Sequence, residues 1–246
     1  MRALIYILLA ISSFLIFLLV YAPASPVWSL VSQDVSIRVP DLKVFRVGGT
    51  IWNGQGEVQY RRFPPSIIDW QLSPGKLLSQ TAELHASAVG DGHDLEAQGS
   101  YKDGHIELEA LSGTIDSDYI NEVSEEFGLT FSGELYIRDL TLSSDGQKLN
   151  AASGTADWSG GRILLNTSAY PQVLSLPPLK AELHLKDSRL ILDVTHDERI
   201  LIQIALNQEG WAEISIKGRL FELANFPWPL GADPDETALL LEEKIL

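Results

Sequence analysis

The chain of 246 residues has no cysteine, a single methionine, and 18 lysines and arginines against 33 aspartates and glutamates. Without cysteine there is no disulfide framework and no thiolate to serve as nucleophile or metal ligand, and the redox state of the compartment is left open. The shortage of cations leaves a formal charge of −15, which excludes nucleic acid or an anionic lipid surface as a partner held by charge. Catalytic signatures are missing too. His85, His93, His105, His184 and His196 form no His-Glu-x-x-His pair, and there is no Gly-x-Ser-x-Gly elbow, no phosphate-cradling Gly-x-x-x-x-Gly-Lys and no dinucleotide fingerprint after a strand. Asp116 and Asp118 fall at a helix start, where acids suit the dipole. Asp91 and Asp94 lie in a Gly-Asp-Gly-His-Asp loop without the further acids and closing Glu of a calcium loop. The expectation is a protein without catalytic, cofactor or metal residues.

Long apolar runs are scarce as well, with one exception at the start. Ala3 to Tyr21 carries no charge, and at about 1.5 Å per residue it is long enough to cross roughly 30 Å of hydrocarbon. It reads as a membrane-spanning helix. Ala22-Pro23-Ala24 imitates a small-x-small cleavage site, but the run exceeds the usual h-region of about 7–15 residues and prolines crowd the site. Arg2 and the α-amine on the short side place the N-terminus in the cytoplasm and send the acidic body across the membrane. Tyr21 and Trp28 fit the outer interface, with Pro23 and Pro26 ending the helix between them.

Beyond Val31 the dominant period is two. Ala82, Leu84, Ala86 and Ala88 alternate with Glu83, His85 and Ser87; Ile106 and Leu108 with Glu107 and Glu109; Ala181, Leu183 and Leu185 with Glu182, His184 and Lys186. Ile200, Ile202, Ile204 and Leu206, then Ala212, Ile214 and Ile216, continue the pattern. Turn signals separate these runs: Asp103-Gly104 and Asp145-Gly146, then Lys186-Asp187-Ser188, His196-Asp197-Glu198 and Gln208-Glu209-Gly210. Consecutive strands therefore pair as an antiparallel meander with one apolar face and few helices to cover it. The fold expected is mainly β: a transmembrane helix followed by a strongly curved sheet, U-shaped or barrel-like, with few short helices.

Two segments read as helix. Ser117 onward places Ile120, Val123 and Phe127 on one stripe with Gly128 as stop. In the tail, Asp233 as N-cap, Pro234 at the first position and Glu236 at the third predict a helix along Ala238, Leu241 and Ile245. The expected division is 1–22 cytoplasmic N-terminus and anchor, 23–33 juxtamembrane linker, 34–232 periplasmic β-domain and 233–246 helical tail. Gly49-Thr50-Ile51-Trp52-Asn53-Gly54 is echoed by Gly154-Thr155-Ala156-Asp157-Trp158-Ser159-Gly160, one residue longer, which suggests two halves.

The most specific stretch runs from Gly49 to Pro74. Gly49, Thr50, Trp52 and Gly54 form a turn-and-strand element, and Trp70, Leu72, Pro74 and Leu77 follow a diproline. Read physically, the glycines allow a sharp bend whose space a tryptophan fills, a structural role. In sequence and spacing these eight residues, preceded by an apolar anchor, resemble the type II secretion system protein N family. The resemblance implies a non-enzymatic accessory component of that machinery, held in the bacterial inner membrane with its β-domain in the periplasm. Its partners would be other subunits of the inner-membrane platform, and the membrane itself through the N-terminal helix. A rival reading from the apolar sheet face is a lipid-binding trough that shelters acyl chains and resembles AsmA-like and lipopolysaccharide-transport proteins.

Overall fold

The computed structural model describes residues 2–125, 128–166, 171–226 and 233–244. Two helices open the chain, α1 (Arg2–Val20) and α2 (Ala24–Arg38). The expected linker 23–33 is therefore helical from Ala24 on, and the helix runs to Arg38, inside the expected β-domain 34–232. Pro26 lies in the first turn, where a missing N–H costs nothing, and no breaker follows until Pro40. Among the described residues no helix is long and apolar enough to cross a membrane. The side chains of Leu4, Leu8, Leu15 and several neighbours in α1 lie outside the description.

The body is mainly β. Its first strands are β1 (Leu42–Gly49), β2 (Asn53–Tyr60), β3 (Ser66–Leu72), β4 (Thr81–Gly90), β5 (His93–Lys102) and β6 (His105–Asp116), with a 3-10 helix over Pro74–Ser79. Helix α3 (Ser117–Ser124) follows β6 directly, as expected, although Phe127 lies outside the described residues. Then come β7 (Leu129–Phe131), β8 (Glu134–Ser144), β9 (Leu149–Trp158), β10 (Gly161–Asn166), β11 (Pro171–Leu176) and β12 (Leu179–Lys186). The last elements are β13 (Arg189–His196), β14 (Arg199–Leu206), β15 (Trp211–Lys217), α4 (Gly218–Leu223) and β16 (Thr237–Lys244). Thirteen of the strands form one antiparallel sheet in the order β1-β2-β3-β4-β5-β6-β8-β9-β12-β13-β14-β15-β16. The other three form a small sheet, β11-β10-β7.

All five turn signals connect antiparallel neighbours. Asp103-Gly104, Asp187-Ser188 and Asp197-Glu198 place both residues at positive φ, the geometry whose twist matches the flanking strands. The Asp145 carboxylate accepts the N–H groups of Gln147 and Lys148, and the Asn207 side chain accepts those of Glu209 and Trp211.

Two expectations are corrected here. The large sheet is open, neither closed nor strongly curled, because its order ends at β1 and β16 and these do not pair. A bulge between Val44 and Arg46 and the packing of α2 on β1 keep that first edge from serving as a seam. The tail, expected as a helix over 233–246, is instead β16 over its described part, paired with β15 from Trp211↔Lys244 to Lys217↔Thr237 with a bulge at Ala238. The helix-start residues are spent on a turn: Asp233 accepts the Asp235 N–H with its carboxylate at 2.9 Å and the Glu236 N–H with its carbonyl at 3.1 Å. A short lone helix is marginal, whereas a strand added to β15 gains a full ladder.

Register puts the alternating apolar residues on one face. Leu72, Leu84, Gly99, Leu108 and Leu142 stand in a row across β3–β8, and Leu183, Leu192, Ile204, Ile214 and Leu241 across β12–β16. This face is thinly covered. The one large side chain that is fully buried is Leu201, near α4, among the described residues. The chain exposes 16330 Å², where a compact 27.1 kDa chain would expose about 11,000 Å².

The expected two halves are present strand for strand. Six antiparallel strands followed directly by a helix, β1–β6 with α3, are matched by β8, β9, β12–β15 with α4, the hairpin β10–β11 being the added piece. A diproline precedes the third strand in each half, Pro64-Pro65 before β3 and Pro177-Pro178 before β12. The register shifts the echo read from sequence: Gly54 opposite Trp70 corresponds to Gly154 opposite Leu183, so it is Gly54, not Gly49, that matches Gly154.

Candidate functional site

The signature stretch folds into a joint between the helices and the first edge of the sheet. Gly49 has φ +79, and a Cβ there would meet Asn53 O at 2.6 Å and Gly54 Cα at 2.7 Å, so only glycine fits the turn. Thr50 closes it: its N–H donates to Asn53 O at 2.8 Å, while its hydroxyl accepts the Asn53 N–H at 3.1 Å. The next residue reaches the helices, the Ile51 N–H donating to Ala22 O at 3.0 Å while Thr50 bridges to Pro23. Ala24, at the start of α2, is 5% exposed. The polypeptide between α1 and α2 is thereby sewn to the β1–β2 turn.

Trp70 locks the turn from the neighbouring strand. Its indole lies over Gly54, where a Cβ would sit 2.3 Å from Cζ2, and its Nε1–H donates to Ile51 O at 3.2 Å. The Leu72 N–H donates to Trp52 O at 2.7 Å, so β3 continues past the end of β2 to hold the turn. Of the eight signature residues, Gly49, Thr50, Trp52, Gly54, Trp70 and Leu72 are thus brought together. Pro74 and Leu77 are not; they begin and line the 3-10 helix that follows, with Leu77 39% exposed.

At the opposite end of β3 from this joint lies a polar cluster that sequence reasoning missed. His93, which the sequence places in a Gly-Asp-Gly-His-Asp loop, is 6% exposed, and its Nε2 is 2.8 Å from Ser66 Oγ. The ring packs against Tyr119 of α3 at 4.3 Å between centroids, and Tyr119 stacks on Phe63. Burial pushes the Tyr119 phenol up, opposed in part by a hydrogen bond with Ser66. A Cβ on Gly90 would meet His93 Cε1 at 2.4 Å, so that glycine makes the room the ring occupies. The local signal was Pro65-Ser66 facing Gly90-x-x-His93, which only the β3–β4 register brings together. A serine beside a histidine suggests acyl transfer, but Nδ1 has no orienting partner among the described residues and both side chains are buried. The pair ties β3, β5 and α3 together.

The rest of the sheet offers surfaces rather than reaction centres. An open concavity of about 530 Å³ on the polar face is lined by Asp69, Gln71, His85, Ser87, Glu96 and Gln98. An apolar groove of about 430 Å³ runs along Leu72, Leu84, Ala97, Tyr101, Ile106 and Leu108. No group of three or more His, Asp or Glu able to hold a metal occurs among the described residues, and Asp91 and Asp94 gain no further acid. Glu134 raises the Tyr136 phenol by hydrogen bonding to it, and backbone N–H groups hold the Asp145 carboxyl below its ordinary range.

The family model of the type II secretion system protein N matches residues 40–231. The chain belongs to the type II secretion system protein N family. The match covers both halves of the large sheet and includes all eight signature residues. No curated protein and no solved structure matches the chain. The protein N family is a component of a secretion system and is not known as an enzyme family.

Proposed function

We propose that this chain is a non-enzymatic, membrane-anchored accessory of type II secretion, in which α1 spans the inner membrane and the open sheet stands in the periplasm. One observation carries the reading: the β1–β2 turn formed by the family signature is bonded to Ala22 and Pro23, immediately after the apolar run Ala3–Tyr21. A domain sewn to the end of its anchor is held at a fixed place near the bilayer rather than swinging on a linker. Arg2 and the acidic body fit an N-terminus in the cytoplasm. The sheet then presents its faces to other subunits of the inner-membrane platform.

A second reading is favoured by a separate observation, the uncovered apolar face. A groove lined by Leu72, Leu84 and Leu108 could shelter a lipid acyl chain, each buried methylene contributing about 0.8 kcal/mol. Photo-crosslinking in secreting cells separates the two, with a photoreactive residue in place of Leu84 on the apolar face or Glu96 on the polar face. The platform reading expects secretion subunits captured from Glu96. Lipid recovered from Leu84 with no protein captured from either face would replace the first reading by the second.

A further inference from the structure

The two ends of the large sheet are finished differently. At the first edge β1 carries Lys43 and Arg46, is interrupted by a bulge and is packed by α2, all devices that keep a foreign strand away. The last edge is less defended at its centre: its bulge lies at Ala238, near the start of β16, and its charges Glu242, Glu243 and Lys244 lie at the far end. From Leu239 to Lys244 the pairing of β16 with β15 is regular, and Leu239, Leu240 and Leu241 are 42%, 54% and 46% exposed. Among the described residues, β15 is the only strand paired with it.

The matching order of elements in the two halves gives β16 a counterpart. β8 follows β6 and α3 in the first half as β16 follows β15 and α4 in the second, so β16 stands where a third unit would begin. The opening strands of the two complete units, β1 and β8, each carry an antiparallel strand on the far side, β2 and β9. Among the described residues no strand lies on that side of β16.

We infer that this edge pairs with the β16 edge of a second copy of the chain, antiparallel and about a two-fold axis at Leu240. Antiparallel pairing of a strand with itself is the isologous arrangement a two-fold requires. Centred on Leu240, it sets Leu239 beside Leu241, Ala238 beside Glu242, Thr237 beside Glu243 and Lys244 beside Glu236, each twice. Apolar meets apolar on both faces, and the one cation meets an anion at each end. A shift by one residue to a centre at Leu239 sets Glu242 beside Glu236, and a centre at Leu241 sets Leu239 beside Glu243, so charge and apolarity select a single register. Neither Lys244 nor Glu236 takes part in an ion pair among the described residues.

The test uses the full-length chain in detergent micelles, followed by light scattering and sedimentation over a dilution series. Because the chain has no cysteine, a single Leu240→Cys gives a defined probe, and a short bismaleimide should link it into covalent dimers. Lys244→Glu should raise the dimer Kd about tenfold by setting like charges opposite each other twice, and Glu236→Lys/Lys244→Glu should restore it. A chain that stays monomeric throughout and gives no covalent dimer from Leu240→Cys overturns the inference. So does a dimer indifferent to Lys244→Glu, or a Leu240→Cys probe that in membranes links only to a different protein.

Discussion

Replacing Gly54 by alanine puts a methyl group where the Trp70 indole lies. The new Cβ would stand 2.3 Å from Cζ2 and 2.7 Å from both Cε2 and the Gly48 carbonyl oxygen, the last of these being backbone and unable to swing aside. The indole must leave, and with it the 3.2 Å hydrogen bond from Nε1 to Ile51 O. Overpacking costs about 1–3 kcal/mol and the lost hydrogen bond about 1 kcal/mol, while alanine recovers about 0.4–1 kcal/mol of unfolded-chain entropy. A net loss of about 2–3 kcal/mol corresponds to a Tm drop on the order of 5–10 °C for a body of this size. Trp70→Ala alone should cost about 2–4 kcal/mol, below the value for a fully buried tryptophan because the ring is half-buried. The double variant carries the diagnostic result. With the indole gone the methyl has only the Gly48 contact to relieve, so the two costs should fall short of additivity by about 1–2 kcal/mol. The assay is urea unfolding of the full chain in micelles, followed by tryptophan emission and, independently, by circular dichroism. An unchanged midpoint for Gly54→Ala, or strictly additive costs, would refute the account of the joint; wild-type stability with lost secretion would make these recognition residues.

The remaining predictions concern other elements. His93→Ala removes the contacts to Ser66 and Tyr119 that hold α3, so amide exchange over Ser117–Ser124 should accelerate well before the rest of the sheet opens, and uniform loss of protection would contradict this. The Asp145 carboxyl is held low by the N–H groups of Lys148 and Gln147, so its contribution is complete above the ordinary carboxylate range and vanishes as pH falls through its depressed folded value. The amide shifts of Gln147 and Lys148 should follow that titration in the wild type and not in Asp145→Asn. If α1 is the anchor, membrane-extracted protein should retain it: a cut after Ala24 would fall inside α2 beside a residue sewn to the sheet, and an N-terminal sequence beginning at Ser25 would disprove retention.

What could be read from the sequence was what depends on neighbours along the chain. Asp103-Gly104 or Asp187-Ser188 fixes a hairpin through the backbone preferences of two residues, and the strands on either side then register by alternation. The signature turn was legible for the same reason, since Gly49, Thr50 and Asn53 bond to one another. His93 was not, because its surroundings come from Ser66, Gly90 and Tyr119 on three different elements. β16 failed in a more instructive way. Asp233, Pro234 and Glu236 are good helix-start residues, and the same side-chain-to-backbone bond that caps a helix also closes a turn. What decides between them is the unpaired edge of β15, which no window of local sequence contains.

An open meander also fixes a length. Thirteen strands leave twelve steps between the first and the last, and at about 4.8 Å per step the outer edge stands roughly 58 Å from the inner one, somewhat less once twist is allowed for. Since the inner edge is bonded to the residues just after α1, strand number sets how far β16 is held from that attachment. Deleting a hairpin such as β13–β14 would shorten this reach by two steps, about 10 Å, without altering either end.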